Sequence, residues 1–131
     1  MKTPDIEIYV KQANMKILED WLKANFSDIV LPSHALQLFE KGKAIRATAK
    51  AESKHTELVI TPQAAGKAFC SIWFKQNITP WNDDEACAMS LLAHTDVEVR
   101  CSASGWSEDE DEESAQWLLL TRSEKKRIHW G

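Results

Sequence analysis

The sequence predicts a single α+β domain over residues 1–131, an antiparallel sheet of six to eight strands with two helices packed on one face. Three observations carry this reading. Short apolar–polar alternations recur along the chain, bounded by turn residues. Two stretches switch to a helical period. Most strands follow one another through short connections, which favours antiparallel pairing. A chain of 131 residues fits one domain. With 44% hydrophobic and 27% charged residues it falls in the ordinary globular range, large enough for a core without staples.

The elements follow in order. "DIEIYVK" alternates, with Ile6 and Ile8 on one side, and reads as a strand. "NMKILEDWLKANF" changes period: Ile17, Trp21 and Ala24, with Leu18 and Leu22 alongside, form an apolar stripe, and Asn14 is the expected N-cap. "LPSHALQLFEKGK" admits two readings. Ser33 as N-cap and Gly42 just past the end would frame a short helix. Alternation of Leu36 with Leu38, before a Lys41–Gly42 turn, would frame a strand, and the clear strand that follows favours this second reading.

In "KAIRATAKAE", Ile45, Ala47, Ala49 and Ala51 face one way, with Arg46, Thr48 and Lys50 opposite, the mark of a sheet with one wet face. "TELVITP" is a strand closed by Pro62. "AFCSIWFKQ" is apolar on both sides and is therefore expected to be central. "TPWNDDEACAMSLLAHT" is the second helix, with Asn82 as N-cap, Glu85 completing a capping box, and Asp83 and Asp84 at the positive end of the dipole. "DVEVRCSAS", "AQWLLLT" and "RIHW" are the last strands, with "RSEKK" as a turn.

Charge and cysteine usage bound the function. The net charge is −4, yet the six consecutive acids Glu108 to Glu113 leave the rest of the chain slightly basic. No dense Lys/Arg stripe with interleaved aromatics is present, so no nucleic-acid groove is expected. The three cysteines have no CxxC spacing, and "MKTPDIEIYVKQ" has no apolar core of a signal peptide. No apolar run approaches the ~18 residues of a membrane span. These features predict a cytoplasmic protein that does not enter a membrane.

The acidic run, within "SGWSEDEDEESAQW", is expected to be a mobile loop at about 105–115, since like charges repel and resist packing. As a calcium loop it would place Asp109, Asp111 and Glu113 at the first ligand positions. Ser114 and Leu120 then stand where Gly and Glu are required. No metal is expected there. A row of carboxylates can instead draw in a basic protein partner, as acidic inhibitor and immunity proteins do by the same charge logic. The partner-binding candidates are thus Glu108, Asp109, Glu110, Asp111, Glu112 and Glu113 for attraction and Trp106 for contact. The basic turn after the next strand is expected at the opposite end of that strand, roughly 20 Å away at ~3.4 Å per residue.

The rival reading is a small-ligand or enzymatic pocket between the second helix and the sheet, lined by Trp81, Asp83 and Asp84. Cys87 and His94 share a face of that helix but lie ~10 Å apart along its axis, too far for one metal ion. No nucleophile–base motif, phosphate loop or metal signature appears. An enzyme and a cofactor are therefore not expected. A third reading is a structural subunit whose open sheet edge pairs with a second copy as a homodimer.

Overall fold

The computed structural model describes residues 2–102 and 116–129. The first strand, β1 (Ile6–Lys11), buries Ile6, Ile8 and Val10 on one side and leaves Glu7 and Tyr9 half-buried on the other. Helix α1 (Met15–Asn25) starts at Asn14, whose Oδ1 accepts from the Ile17 N–H at 3.1 Å. Its buried stripe is Met15, Leu18, Trp21 and Leu22. Ile17 and Ala24, expected on that stripe, face solvent, because the buried arc is centred one residue further round the helix.

Strand β2 (Asp28–Val30) has only three residues, too few for alternation to reveal it in the sequence. Residues 35–40 are not the expected strand but a helix, α2 (Ala35–Glu40). Its end decides the matter. Gly42 takes φ +73°, its N–H bonds to Phe39 O at 3.0 Å, and the Lys43 N–H bonds to Leu38 O at 2.9 Å. This is a Schellman closure, which glycine adopts without a steric penalty. The N-cap is His34 rather than Ser33, and Leu36 is left exposed.

Strand β3 (Ile45–Ala51) alternates as expected. Strand β4 (Lys54–Ala65) runs on past Pro62. Its register against the next strand shifts between Thr61 and Ala65, with Gln63 at φ +55°, and a bulge is where a proline without an N–H can sit in a strand. Strand β5 (Phe69–Phe74) lies between β4 and β1, central as its two-sided apolar pattern implied. Helix α3 (Asp84–His94) begins one residue later than expected. Asp83, not Asn82, is its cap, and Asp83 Oδ1 accepts from the Ala86 N–H at 2.8 Å. Strands β6 (Val99–Ser102), β7 (Gln116–Leu120) and β8 (Lys125–His129) complete the chain, so Lys125 and Lys126 belong to a strand and not to the turn.

All eight strands form one antiparallel sheet in the order β2-β3-β4-β5-β1-β6-β7-β8. The first strand thus sits between a meander ending in β5 and a meander starting at β6. The architecture is the predicted α+β class, with α2 as an additional short helix. Helices α1 and α3 cover the face carrying Ile6, Ile8, Leu58, Ile60, Ile72, Phe74, Val99, Leu118 and Leu120.

An aromatic cluster joins these layers. Trp21 of α1 stacks on Trp81 at 5.2 Å, and Trp81 meets the edges of Phe26 and Phe74, each at 5.8 Å. The Trp21 indole N–H donates to Ser90 Oγ of α3 at 3.1 Å, which satisfies the one polar atom this ring takes into the core. Trp81 is buried. Trp73 and Trp117 lie half-buried on the opposite sheet face.

Removing the Trp81 ring opens a hole among three other rings. Trp81→Ala is expected to cost about 3–5 kcal/mol in urea unfolding, against less than about 0.5 kcal/mol for Ile17→Ala at an exposed site. Similar losses for the two variants would contradict this packing.

Candidate functional site

The acidic run Glu108 to Glu113 and Trp106 lie outside the described residues; their anchors do not. Ser102 pairs with Trp117, and Cys101 with Leu118, in the β6–β7 register. Cys101 and Leu118 are buried beneath α3. The described residues on either side of the run are therefore neighbours in the sheet.

On the face away from the helices, Tyr9 meets the Trp117 ring edge-on at 5.5 Å. Tyr9 is also the register partner of Arg100, whose guanidinium stands 4.7 Å from the Phe69 ring and 3.0 Å from Glu98 Oε2. Burial, and then the nearby Glu7 carboxylate, push the Tyr9 hydroxyl up, so it stays protonated. The foot of the run is thus aromatic and half-buried, with one guanidinium set among the rings.

The basic residues near the C-terminus divide. Arg122, in the turn at the far end of β7, donates Nε–H to Leu92 O at 2.7 Å, near the C-terminus of α3. Lys125 pairs with Glu85 at 2.7 Å and Lys126 with Glu124 at 2.9 Å. The five residues of β7 separate its two ends by only about 14 Å at 3.4 Å per residue, shorter than the sequence suggested. Strand β8 also runs back toward the run: Arg127 Nη1 donates to Gln116 Oε1 at 2.6 Å, and His129 is paired with Gln116.

The second set, Trp81, Asp83 and Asp84, has three different jobs. Trp81 fills the aromatic cluster and Asp83 caps α3. Asp84 turns toward the sheet, where its Oδ1 accepts from the Glu7 N–H at 3.0 Å. That N–H lies past the end of the β1–β6 pairing, which holds only Tyr9–Arg100 and Val10–Val99. The carboxylate replaces a ladder acceptor that β6 does not supply. No local pattern signals this bond, since its partners are 77 residues apart.

Burial raises the Asp84 carboxyl to about 6. The Glu7 N–H opposes the rise, and Asp5, Glu7 and Asp83 add to it. The cysteines resist ionisation far more strongly. Burial pushes the Cys70 and Cys101 thiols up to about 12, and Cys87 rises well above its ordinary value. All three are free and buried, which suits small hydrophobes rather than nucleophiles. Among the described residues no group of three His, Cys, Asp or Glu side chains is placed to hold a metal ion. No helix of the described residues is long and apolar enough to cross a membrane.

No family model matches this chain, and no curated protein or solved structure matches it. The functional reading rests on geometry and chemistry alone.

Asp84 gives a signed pH effect. Its carboxyl is raised in the fold, so its contribution favours the folded state below the ordinary carboxylate range and is lost as pH rises from about 4 to about 6. The group keeps solvent contact, so the effect is about 1 kcal/mol rather than the full linkage value. Asp84→Asn keeps an oxygen for the Glu7 N–H and removes the charge. It is expected to be more stable than the parent at pH 7.5 and equal to it at pH 4 in urea titrations; an equal difference at both pH values would contradict the assignment.

Proposed function

We propose that this chain is a non-enzymatic binding protein that engages a basic protein partner through Glu108 to Glu113, with Trp106 as a contact residue. The observation that supports it is the pairing of Ser102 with Trp117, which brings together the described positions flanking the stretch that contains the six carboxylates. A tethered segment of one charge raises the encounter rate with an opposite surface and loses little entropy at its ends. Lys125 and Lys126, the nearest basic pair in sequence, already have carboxylate partners in Glu85 and Glu124. A reducing, cytoplasmic setting suits the three free, buried cysteines.

The pocket reading finds less support, since Trp81, Asp83 and Asp84 each have a partner within the fold. The edge-paired dimer also finds little. One sheet edge, β2, has three residues, and the other carries Lys125, Lys126 and Arg127, both familiar ways of blunting an edge.

The test replaces Glu108, Asp109, Glu110, Asp111, Glu112 and Glu113 by Ser and Gln. Capture from native lysate at low salt is expected to fall, and the association rate of the captured partner to drop about tenfold or more, with high salt mimicking the substitution. Capture and association unchanged by both charge removal and salt would overturn the proposal.

A further inference from the structure

A cavity of about 690 Å³ opens at one end of the sheet, within the usual size of small-ligand sites. Four distant segments converge on it: the N-terminal Lys2, the α1–β2 connection at Asn25 and Ser27, the β3–β4 turn at Glu52 and Lys54, and the β5–α3 connection from Asn77 to Pro80. Asp83 and Asp84 do not line it.

One wall is built to hold its shape. Asn77 Oδ1 accepts from the Thr79 N–H at 3.2 Å and from the Thr79 hydroxyl, while Asn77 Nδ2 donates to Trp81 O at 3.0 Å. The Trp81 N–H donates in turn to Thr79 Oγ1 at 3.2 Å. This self-satisfied wall is continuous with the aromatic cluster through Trp81.

The charged groups around it are not matched in the same way. Lys2 Nζ spends one proton on Thr79 O. Neither Lys2 nor Lys54 makes an ion pair with a described residue, and neither does Glu52. Asn25 donates Nδ2–H to Trp21 O at 2.8 Å, and its Oδ1 remains an acceptor.

Glu52 also occupies a costly conformation. It is the first residue of the two-residue turn between the paired Ala51 and Lys54, with φ +58°. Glycine is preferred there, and a side chain in that region costs about 1 kcal/mol. The turn places the Glu52 carboxylate at the cavity rim beside Lys54.

We propose that this cavity binds a small hydroxylated anion. Lys2 and Lys54 would hold its phosphate or carboxylate group, and Glu52 and Asn25 would accept from its hydroxyls. Two ammonium groups against one carboxylate favour a single anionic head. Ile78 and Pro80 border the cavity and reduce the water competing for these bonds.

The test titrates the labelled protein with glycerol 3-phosphate, glycerate and glycerol, following backbone amide shifts. Saturable shifts are expected at Asn25–Ser27, Glu52–Lys54 and Asn77–Thr79 with at least one of the two anions and not with glycerol. Which anion binds tells phosphate from carboxylate. Lys54→Gln and Lys2→Gln should each weaken binding about tenfold, the loss of one charge-assisted hydrogen bond. Glu52→Gly should raise the unfolding midpoint and weaken binding together. No saturable shift with either anion overturns the proposal. So do shifts equally large at Lys125–Arg127, or shifts that survive both lysine substitutions in variants with parental unfolding midpoints.

Discussion

The pairing of β1 on both its edges holds this molecule together. On one side Ile6 to Lys11 run in full register against Phe74 to Phe69. On the other, only Tyr9 and Val10 pair with β6, extended by the Lys11 N–H to Glu98 O at 2.9 Å. The meander β2–β5 and the meander β6–β8 share no other backbone ladder. The first strand of the chain therefore waits for partners formed much later in the sequence, and a long loop-closure entropy must be offset by burial of Ile6, Ile8 and Val10.

The weak half of that joint explains the position of α3. Where β6 turns away from β1, the first turn of α3 enters, and Asp84 takes the Glu7 N–H. The helix then packs Cys87, Ala88, Leu91 and Leu92 over β1, β6 and β7, so one apolar surface spans the gap in hydrogen bonding. The same demand for a close approach buries the Asp84 carboxyl. Its perturbed acidity thus has a structural cause, and a perturbed group near a helix N-terminus is not by itself a catalytic signal. On the far side of the sheet the joint carries Tyr9, Arg100 and Trp117.

How much of this was legible in the sequence depended on the length over which a pattern is read. The alternation of Ile45 to Ala51 and the two-sided apolar run of Phe69 to Phe74 span enough residues to declare strand and position. Ala35 to Glu40 do not: six residues with Leu36 and Leu38 satisfy either period, and only the closure at Gly42 and Lys43 separates them. The N-cap of α3 slipped by one because Asn82 and Asp83 are equally good caps by residue type. Nothing local to "TPWND" shows Trp21, Phe26 and Phe74 converging on Trp81. The candidate site divides likewise. The charge of Glu108 to Glu113 is plain in the sequence, whereas the 690 Å³ cavity is assembled from four separated segments and leaves no local signature.

Strand β1 and helix α3 weld the two meanders into one cooperative unit. Native-state hydrogen exchange across a denaturant series measures this directly. The amides of Cys101 and Leu118, in the β6–β8 half, should exchange through the same global opening as those of Ile60 and Ile72 in the other half, with the same free energy and denaturant slope. A lower-energy opening that exposes Cys101 and Leu118 while Ile60 and Ile72 stay protected would contradict it.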